Sequence, residues 1–306
     1  MPRPKRQVLV GTGSGLYQFG VTRQIPLDRL GGRALTALVE DGRGWIAIVE
    51  GELIWAVTEG ADAWRALARV PGAACLAPAR SGLLVGTAGA HLFRLDEGEP
   101  ARVESFEQAE GRREWYTPWG GAPDVRSMSV DAEGVVYVNV HVGGILRSAD
   151  GARTWRPTID LQTDVHQVLA HPARPALVLA ATAVGLALSD DRGETWRIET
   201  DGLHARYLRA VAASEDWVLV SASRGPGGGR AAVYRKRLDK DEPFERCRAG
   251  LPEWLDGNVD TGWLGAAGST VAFGTRDGAV FRSDDAGDSW EEVARKLQPI
   301  RCVAVD

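Results

Sequence analysis

Short apolar runs recur along the whole chain, and each is followed by a tight turn of small residues and a second apolar run. Examples are VLVGTGSGLYQF from Val8, LLVGTAGAHLFRL from Leu83 and TVAFGTRDGAVFRS from Thr270. The runs are rich in β-formers and are interrupted by Gly, Asp and Pro, whereas the spacing of an amphipathic helix is hard to find. The pattern therefore predicts an all-β protein built from hairpins.

The hairpin repeats seven times, about every 40 residues. Equivalent turn positions are Thr12, Val49, Thr87, Val140, Thr182, Ser223 and Thr275. A repeat of this length that contains about four short strands is typical of a β-propeller blade. The sequence predicts an all-β, seven-bladed β-propeller, formed by residues 1–306 as a single domain.

The two ends of the chain predict how the ring closes. A further strand precedes each later hairpin, as in DVRSMSV before Val135, but few residues precede Val8. The chain finishes instead on PIRCVAVD, which has the pattern of the missing strand. We expect this C-terminal strand to pair into the first blade, which closes the ring and removes two open sheet edges.

Three octets follow the second strand of a hairpin: SADGARTW from Ser148, SDDRGETW from Ser189 and SDDAGDSW from Ser283. An Asp side chain can accept backbone N–H bonds across a turn, and Gly permits positive φ there. The Trp that ends each octet can bury a large ring against the blade. These properties predict the same turn in three blades, and VTEGADAW, which ends at Trp64, is a degenerate fourth copy.

The octets resemble the Asp-box (BNR) repeat of sialidases, sortilin, some glucanases and photosystem II assembly factors. The resemblance implies a propeller in which the box is structural and lies on the face opposite the ligand site. The structural residues would be Asp150, Trp155, Asp191, Trp196, Asp285 and Trp290. The nearest match to the sialidase Arg-Ile-Pro motif is TRQIP, Thr22 to Pro26, in which Gln24 intervenes. The chain is therefore not expected to be a true sialidase.

The composition argues against several classes of function. The chain is 44% hydrophobic and 25% charged, with no apolar run near the length of a membrane span, which is typical of a soluble protein. Three widely spaced cysteines, Cys75, Cys247 and Cys302, and no N-terminal apolar core predict the cytoplasm. A net charge of −5 opposes nucleic-acid binding. Residues 1–6 are expected to form a flexible basic tail.

Candidate site residues cluster where the innermost strands should begin. PDVRS, TDVHQ and GNVDT each place polar residues on both sides of a valine, hence on one face of a strand. When the blades are aligned on the turns that follow, one level holds Arg126, His166, Arg209 and Arg301. One step nearer the channel mouth lie Asp124, Asp164 and Tyr207. Three other residues should also reach the mouth: His141, His204 and Asp260.

Three functions are compatible with this cluster. The arginines, with Asp124, His204, Tyr207 and Asp260, predict a site for a small anionic ligand, because guanidinium offers paired donors to carboxylate or phosphate. Alternatively, His141, His166 and Asp164 serve as acid and base, or as ligands of a divalent metal, in a hydrolase or lyase. A protein-binding scaffold is the third reading. The alternative is that the cluster only stabilises the fold, because polar residues of innermost propeller strands often pair with one another.

One longer interval could cover the mouth. EGRREWYTPWGG, within residues 107–121, carries Trp115, Tyr116 and Trp119. These aromatic residues are suited to stacking on a ligand, or they cover a neighbouring blade. The segment is a candidate lid.

Overall fold

Seven antiparallel sheets surround a central channel in the computed structural model, which describes residues 6–20, 30–61, 63–96 and 99–306. The innermost strand of each sheet contacts the innermost strands of the two neighbouring sheets, so the contacts run completely around the ring. The fold is a seven-bladed β-propeller, which confirms the predicted fold class. No helix among the described residues combines the length and the apolar character that a membrane span requires.

Each blade runs outward from an innermost strand at the channel. Blade 1 contains β27 (Ile300–Val305), β1 (Val8–Thr12) and β2 (Gly15–Phe19), blade 2 contains β3 (Leu35–Glu40), β4 (Gly44–Val49), β5 (Leu53–Thr58) and β6 (Arg65–Arg69), and blade 3 contains β7 (Ala73–Ala79), β8 (Gly82–Thr87), β9 (Leu92–Leu95) and β10 (Ala101–Arg102). Blade 4 contains β11 (Val125–Val130), β12 (Val136–Val140), β13 (Gly144–Ser148) and β14 (Arg156–Pro157), and blade 5 contains β15 (Val165–Ala170), β16 (Val178–Thr182), β17 (Gly185–Ser189) and β18 (Arg197–Glu199). Blade 6 contains β19 (Tyr207–Ser214), β20 (Trp217–Ser223), β21 (Ala232–Arg237) and β22 (Glu245–Arg246), and blade 7 contains β23 (Leu264–Ala267), β24 (Thr270–Gly274), β25 (Val280–Ser283) and β26 (Glu291–Ala294). A short helix α1 (Glu104–Glu107) and a 3₁₀ turn (Arg112–Glu114) follow blade 3.

The C-terminal strand closes the ring as predicted. β27 pairs antiparallel with β1, with Val303 opposite Val10, and becomes the innermost strand of blade 1. Of the predicted basic tail, residues 1–5 lie outside the described residues, while the Arg6 guanidinium donates to the Asp306 carbonyl at 2.8 Å. The TRQIP segment also lies outside the described residues.

The core lies between neighbouring blades, where apolar faces of consecutive sheets pack together. Close approach to the first residue of the next innermost strand depends on glycine. A Cβ added to Gly86 of β8 would lie 2.4 Å from Val125 Cγ1 of the next blade, and one added to Gly274 of β24 would lie 2.5 Å from Ile300 Cγ2. Larger residues at these positions would push the innermost strand of the next blade away.

The three octets form one recurring turn. Asp191 Oδ1 accepts the Ser189 hydroxyl at 2.7 Å and the Thr195 N–H at 2.9 Å, and its Oδ2 accepts the Thr195 hydroxyl at 2.6 Å. Asp150 and Asp285 have the equivalent bonds. Each turn joins the third and fourth strands of its blade, which places all three at the end of the ring where the innermost strands finish.

The residues around each clamp differ between copies. Trp155 and Trp290 are buried, whereas Trp196 is half-buried. Ala152 replaces the glycine of the first octet and nevertheless adopts φ of 69°. Asp62 of the degenerate fourth copy lies outside the described residues, and its Trp64 is almost fully buried.

Acid should test the clamp. Hydrogen bonds to the Asp191 carboxylate lower its pKa to about 2, and the one from the Thr195 hydroxyl has the largest effect. Because this is below the ordinary value of about 4, the stabilisation is present above pH 4 and is lost as the pH falls toward 2. We expect Asp191→Asn to lower the thermal midpoint at pH 7 and to flatten its decline between pH 4 and 2, measured by circular dichroism.

Asp190→Asn is the matched control, because Asp190 is the adjacent carboxylate but pairs with the Arg197 side chain on the surface. It should leave the midpoint and its acid decline near those of the wild type. Equal effects of the two substitutions would show that surface charge, and not the turn clamp, is responsible.

Candidate functional site

The predicted site residues lie at the entry face, which we define as the end of the ring where the seven innermost strands begin. The octet turns lie at the other end, because β11, β12 and β13, like their counterparts, cross the sheet three times before the octet. The exit half of the channel is a cavity of about 520 Å³ whose lining is mainly apolar, with Leu76, Met128 and Leu169 among its residues. Polar chemistry is therefore concentrated at the entry face.

A β-bulge recurs near the start of the innermost strands. In β11 the register shifts between Val125 and Ser127, and β15 shifts in the same way between Val165 and Gln167. Shifts also occur in β3, β7 and β19, and where β27 pairs with β1. A bulge leaves one residue out of the ladder and redirects its side chain. The residues left out of the ladders are Thr36, Ala74, Arg126, His166 and Arg301, and in β19 the pair Arg209 and Ala210 lies opposite Ser221.

His141 lies at the centre of the cluster, directly after β12. Its Nδ1 is 3.4 Å from Asp124 Oδ1, and its Nε2 is 3.2 Å from Asp164 Oδ1 of the next blade. The Arg126 guanidinium donates to Nε2 at 3.0 Å, which requires that nitrogen to be unprotonated. The neutral ring with its proton on Nδ1 therefore satisfies both Arg126 and Asp124.

Electrostatics at this centre favour ionised carboxylates. Burial disfavours the charged imidazole, but the neighbouring Asp124 and Asp164 outweigh it and raise the pKa of His141. For the two aspartates burial opposes ionisation, yet hydrogen bonds from the His141 ring in its protonated form lower the pKa of both Asp124 and Asp164. The two carboxylates are thus anionic at neutral pH.

His166 is completely buried beneath this centre. Its Nδ1 is 2.5 Å from the Leu208 carbonyl oxygen of blade 6, and a carbonyl can only accept, so Nδ1 carries a proton. Its Nε2 faces Asp164 Oδ1 at 3.4 Å. Both of these atoms are buried without a hydrogen-bond partner. The ring also packs on Tyr207, with centroids 4.7 Å apart.

Contacts continue into blades 6 and 7. Arg209 lies over the Tyr207 ring and donates to Asp260 Oδ1 at 2.8 Å. The Thr261 hydroxyl is 3.0 Å from the His166 carbonyl and 3.2 Å from that of Arg209, so it ties the starts of three neighbouring blades together. Thr261 was not predicted as a site residue, because a threonine hydroxyl carries no distinctive signal in a single sequence.

Two predicted residues lie apart from this cluster. His204 contacts the Tyr234 hydroxyl at 2.8 Å through Nδ1 and packs against Trp254, beside the third strand of blade 6. Arg301 lies in the β27 bulge at the same level as Arg126, but it is exposed, and no contact joins it to the other site residues among the interactions described.

The candidate lid divides its aromatic residues between two environments. Trp115 is buried against Phe106, with centroids 5.4 Å apart. Trp119 is 62% exposed and lies 5.0 Å from the His141 ring, while Tyr116 is 50% exposed. One tryptophan therefore covers a blade, and the other stands at the rim of the site.

Cavity size alone does not identify this cluster. Cavities of about 670 and 720 Å³ lie between blades 2 and 3 and beside blade 7, and neither is lined by His141 or His166. Convergence of polar groups from four blades is the stronger criterion.

Comparisons with known proteins support the architecture. No protein-family model matches the sequence, and no curated protein matches it. Among solved structures, the chain is similar to the GH74 xyloglucanase from Xanthomonas campestris, with 15% identity and a TM-score of 0.62 over 95% of this chain and 47% of that one. It is also similar to the GH74 enzyme of Niastella koreensis, with 12% identity and a TM-score of 0.64 over 93% and 46% of the two chains.

A third similar structure is YCF48 bound to D1 peptide, with 12% identity and a TM-score of 0.57 over 98% of this chain and 89% of that one. The chain spans about half the length of the two GH74 proteins. At these identities the similarity shows the propeller fold alone. The Asp-box resemblance therefore depends on the three octets themselves.

Proposed function

We propose that the chain binds a small anionic ligand, a carboxylate or a phosphate ester, at the entry face of its channel. The observation that carries the proposal is the recurring bulge, which turns Arg126 and Arg209 out of their ladders at one level. Arg301 has the same place in blade 1 and is exposed. Guanidinium groups at one level offer planar, paired donors to an oxyanion.

Two of the arginines, Arg126 and Arg209, are held in place before a ligand arrives. Arg209 is half-buried and ion-paired with Asp260, and Arg126 Nε is 3.9 Å from Asp124 Oδ2. Pairing limits the side-chain entropy lost on binding, although it also offsets part of the positive charge. Trp119 adds an exposed aromatic face beside His141, which suits a ligand with a planar or sugar-like face.

Substitution of one arginine tests the proposal. Arg126→Gln should weaken binding of citrate, glucuronate or glucose 6-phosphate at least tenfold, because a charge-assisted hydrogen bond contributes about 1.5 to 3 kcal/mol. Isothermal titration calorimetry at pH 7 measures the change, and thermal shift identifies which compound binds the wild type.

Arg69→Gln is the control: it removes the same charge from an exposed pair with Glu52 on the outermost strand of blade 2. Its affinity should match that of the wild type. Failure of every compound to bind the wild type, or equal weakening by both substitutions, would contradict anion binding at this site.

A hydrolase or lyase at the same place is the second candidate. Its supporting observation is that His141 lies between two ionised carboxylates, an arrangement suited to general acid–base chemistry. Turnover of a bound compound that disappears in His141→Gln, with binding retained, would favour this candidate over a binding protein.

A protein or peptide partner is the third candidate, favoured by the exposed aromatic residues Tyr116 and Trp119 at the rim. The structure of YCF48 with a peptide provides a propeller precedent. A partner whose affinity falls in Trp119→Ala, while the small anions show no binding, would support this candidate.

A further inference from the structure

We propose that the entry face holds a zinc ion, ligated by His141 Nε2, His166 Nε2 and the Asp164 carboxylate. One ligand atom from each of these three residues lies within 4.8 Å of the other two. Asp164 Oδ1 is 3.2 Å from the first nitrogen and 3.4 Å from the second. In a tetrahedral zinc site, bond lengths of about 2.1 Å place neighbouring ligand atoms about 3.4 Å apart. The two distances to Asp164 Oδ1 therefore already match this spacing.

The second observation is the buried, unpartnered nitrogen of His166. Since Nδ1 donates to the Leu208 carbonyl, the neutral ring directs an Nε2 lone pair toward Asp164 Oδ1. His166 is 0% exposed, and neither facing atom has a hydrogen-bond partner. A buried acceptor facing a carboxylate is unfavourable unless a cation lies between them. Zinc satisfies both atoms at once.

The outer contacts of both histidines also suit a metal. Ligating histidines ordinarily donate their other ring N–H to a carboxylate or a backbone carbonyl. Here Asp124 Oδ1 faces Nδ1 of His141, and the Leu208 carbonyl accepts from Nδ1 of His166. Each Nε2 is thereby left with its lone pair available.

One contact competes with the metal. The Arg126 guanidinium donates to His141 Nε2 at 3.0 Å and must leave that nitrogen when zinc binds. Arg126 is a long, half-buried side chain that can pair instead with Asp124, whose Oδ2 is 3.9 Å from its Nε. Imidazole and carboxylate ligands suit zinc better than calcium or magnesium, which prefer oxygen alone. Three protein ligands leave the fourth position of the tetrahedron open. The proposed zinc site does not depend on the proposed anion site.

Zinc titration of the full chain tests the site. After dialysis against a chelator, calorimetry and elemental analysis should find one zinc per chain, and Co²⁺ should give the visible absorption of a tetrahedral site. His166→Gln and Asp164→Asn should weaken zinc binding at least 100-fold. Asp124→Asn, which changes only an outer contact, should weaken it about 10- to 100-fold. His91→Gln removes an imidazole that pairs with Glu107, away from the cluster, and should bind as the wild type does.

Arg126→Gln separates the two proposals. It removes a competing donor and a positive charge, so zinc affinity should rise, whereas anion affinity should fall. Absence of stoichiometric zinc in the wild type, or unchanged affinity in folded Asp164→Asn, would overturn the metal site. Asp164→Asn decides the matter if His166→Gln fails to fold, because the amide preserves the shape of the carboxylate.

Discussion

Removal of residues 300–306 is expected to abolish cooperative folding. These residues include β27, the innermost strand of blade 1, which pairs with β1 and contacts β3 and β23 of the adjacent blades. Ile300 is 0% exposed and Val303 is 7% exposed. Burial of these two side chains alone contributes about 3 to 6 kcal/mol. A domain's net stability is about 5 to 15 kcal/mol, and the deletion also removes a whole hydrogen-bonded ladder.

The experiment compares thermal unfolding of chains that end at residue 299 and at residue 305. The longer chain retains all of β27 and should unfold cooperatively with a midpoint near that of the full chain. The shorter chain should lack the sharp transition and the near-ultraviolet circular dichroism of packed aromatic rings, and a synthetic peptide of residues 299–306 should restore both. A cooperative transition near the wild-type midpoint without the peptide would show that closure does not hold the ring together.

Phe273→Ala is expected to destabilise the protein by about 3 to 5 kcal/mol. Phe273 lies on β24 of blade 7 and is 0% exposed. Its ring stacks on Phe281 at 5.1 Å and meets Trp290, the tryptophan of the third octet, edge-on at 5.0 Å. The substitution therefore leaves a cavity in a close-packed aromatic cluster. Urea unfolding measures the loss.

Two controls accompany this substitution. Phe273→Leu retains most of the volume and should cost less than about 1.5 kcal/mol. Phe93→Ala removes the same ring from a half-buried position on β9, where less area is withdrawn from water, and should cost clearly less than Phe273→Ala. Equal losses at the two phenylalanines would show that burial between blades is not the source of stability.

The predicted clustering of polar residues depended on a feature that the sequence does not display. PDVRS and TDVHQ suggested that Arg126 and His166 share one level, with Asp124 and Asp164 one step nearer the mouth, and the structure places all four at the entry face. The bulge that turns Arg126 and His166 out of their ladders adds one unpaired residue to each strand. Strict two-residue alternation cannot reveal such a residue, because a bulge depends on pairing with the neighbouring strand.

The side-chain contacts between blades could not be predicted from a single sequence. The proton position on His166 is decided by the Leu208 carbonyl, which belongs to another blade. His204 follows a loop that should enter the mouth, yet its ring packs against Tyr234 and Trp254. Trp115 and Trp119 lie close together in sequence but have opposite exposures. Each outcome depends on which side chains approach from elsewhere in the ring.

The sequence by itself determined the repeat, the number of blades and the closing strand, because hydrophobic alternation and turn residues are local properties that recur with the fold's period. It also located the three octets, whose aspartates clamp residues at most four positions away. Only the tertiary structure decided that His141, His166 and Asp164 converge while His204 and Arg301 stand apart. Convergence is set by the packing of one blade on the next, which joins residues that no local pattern connects.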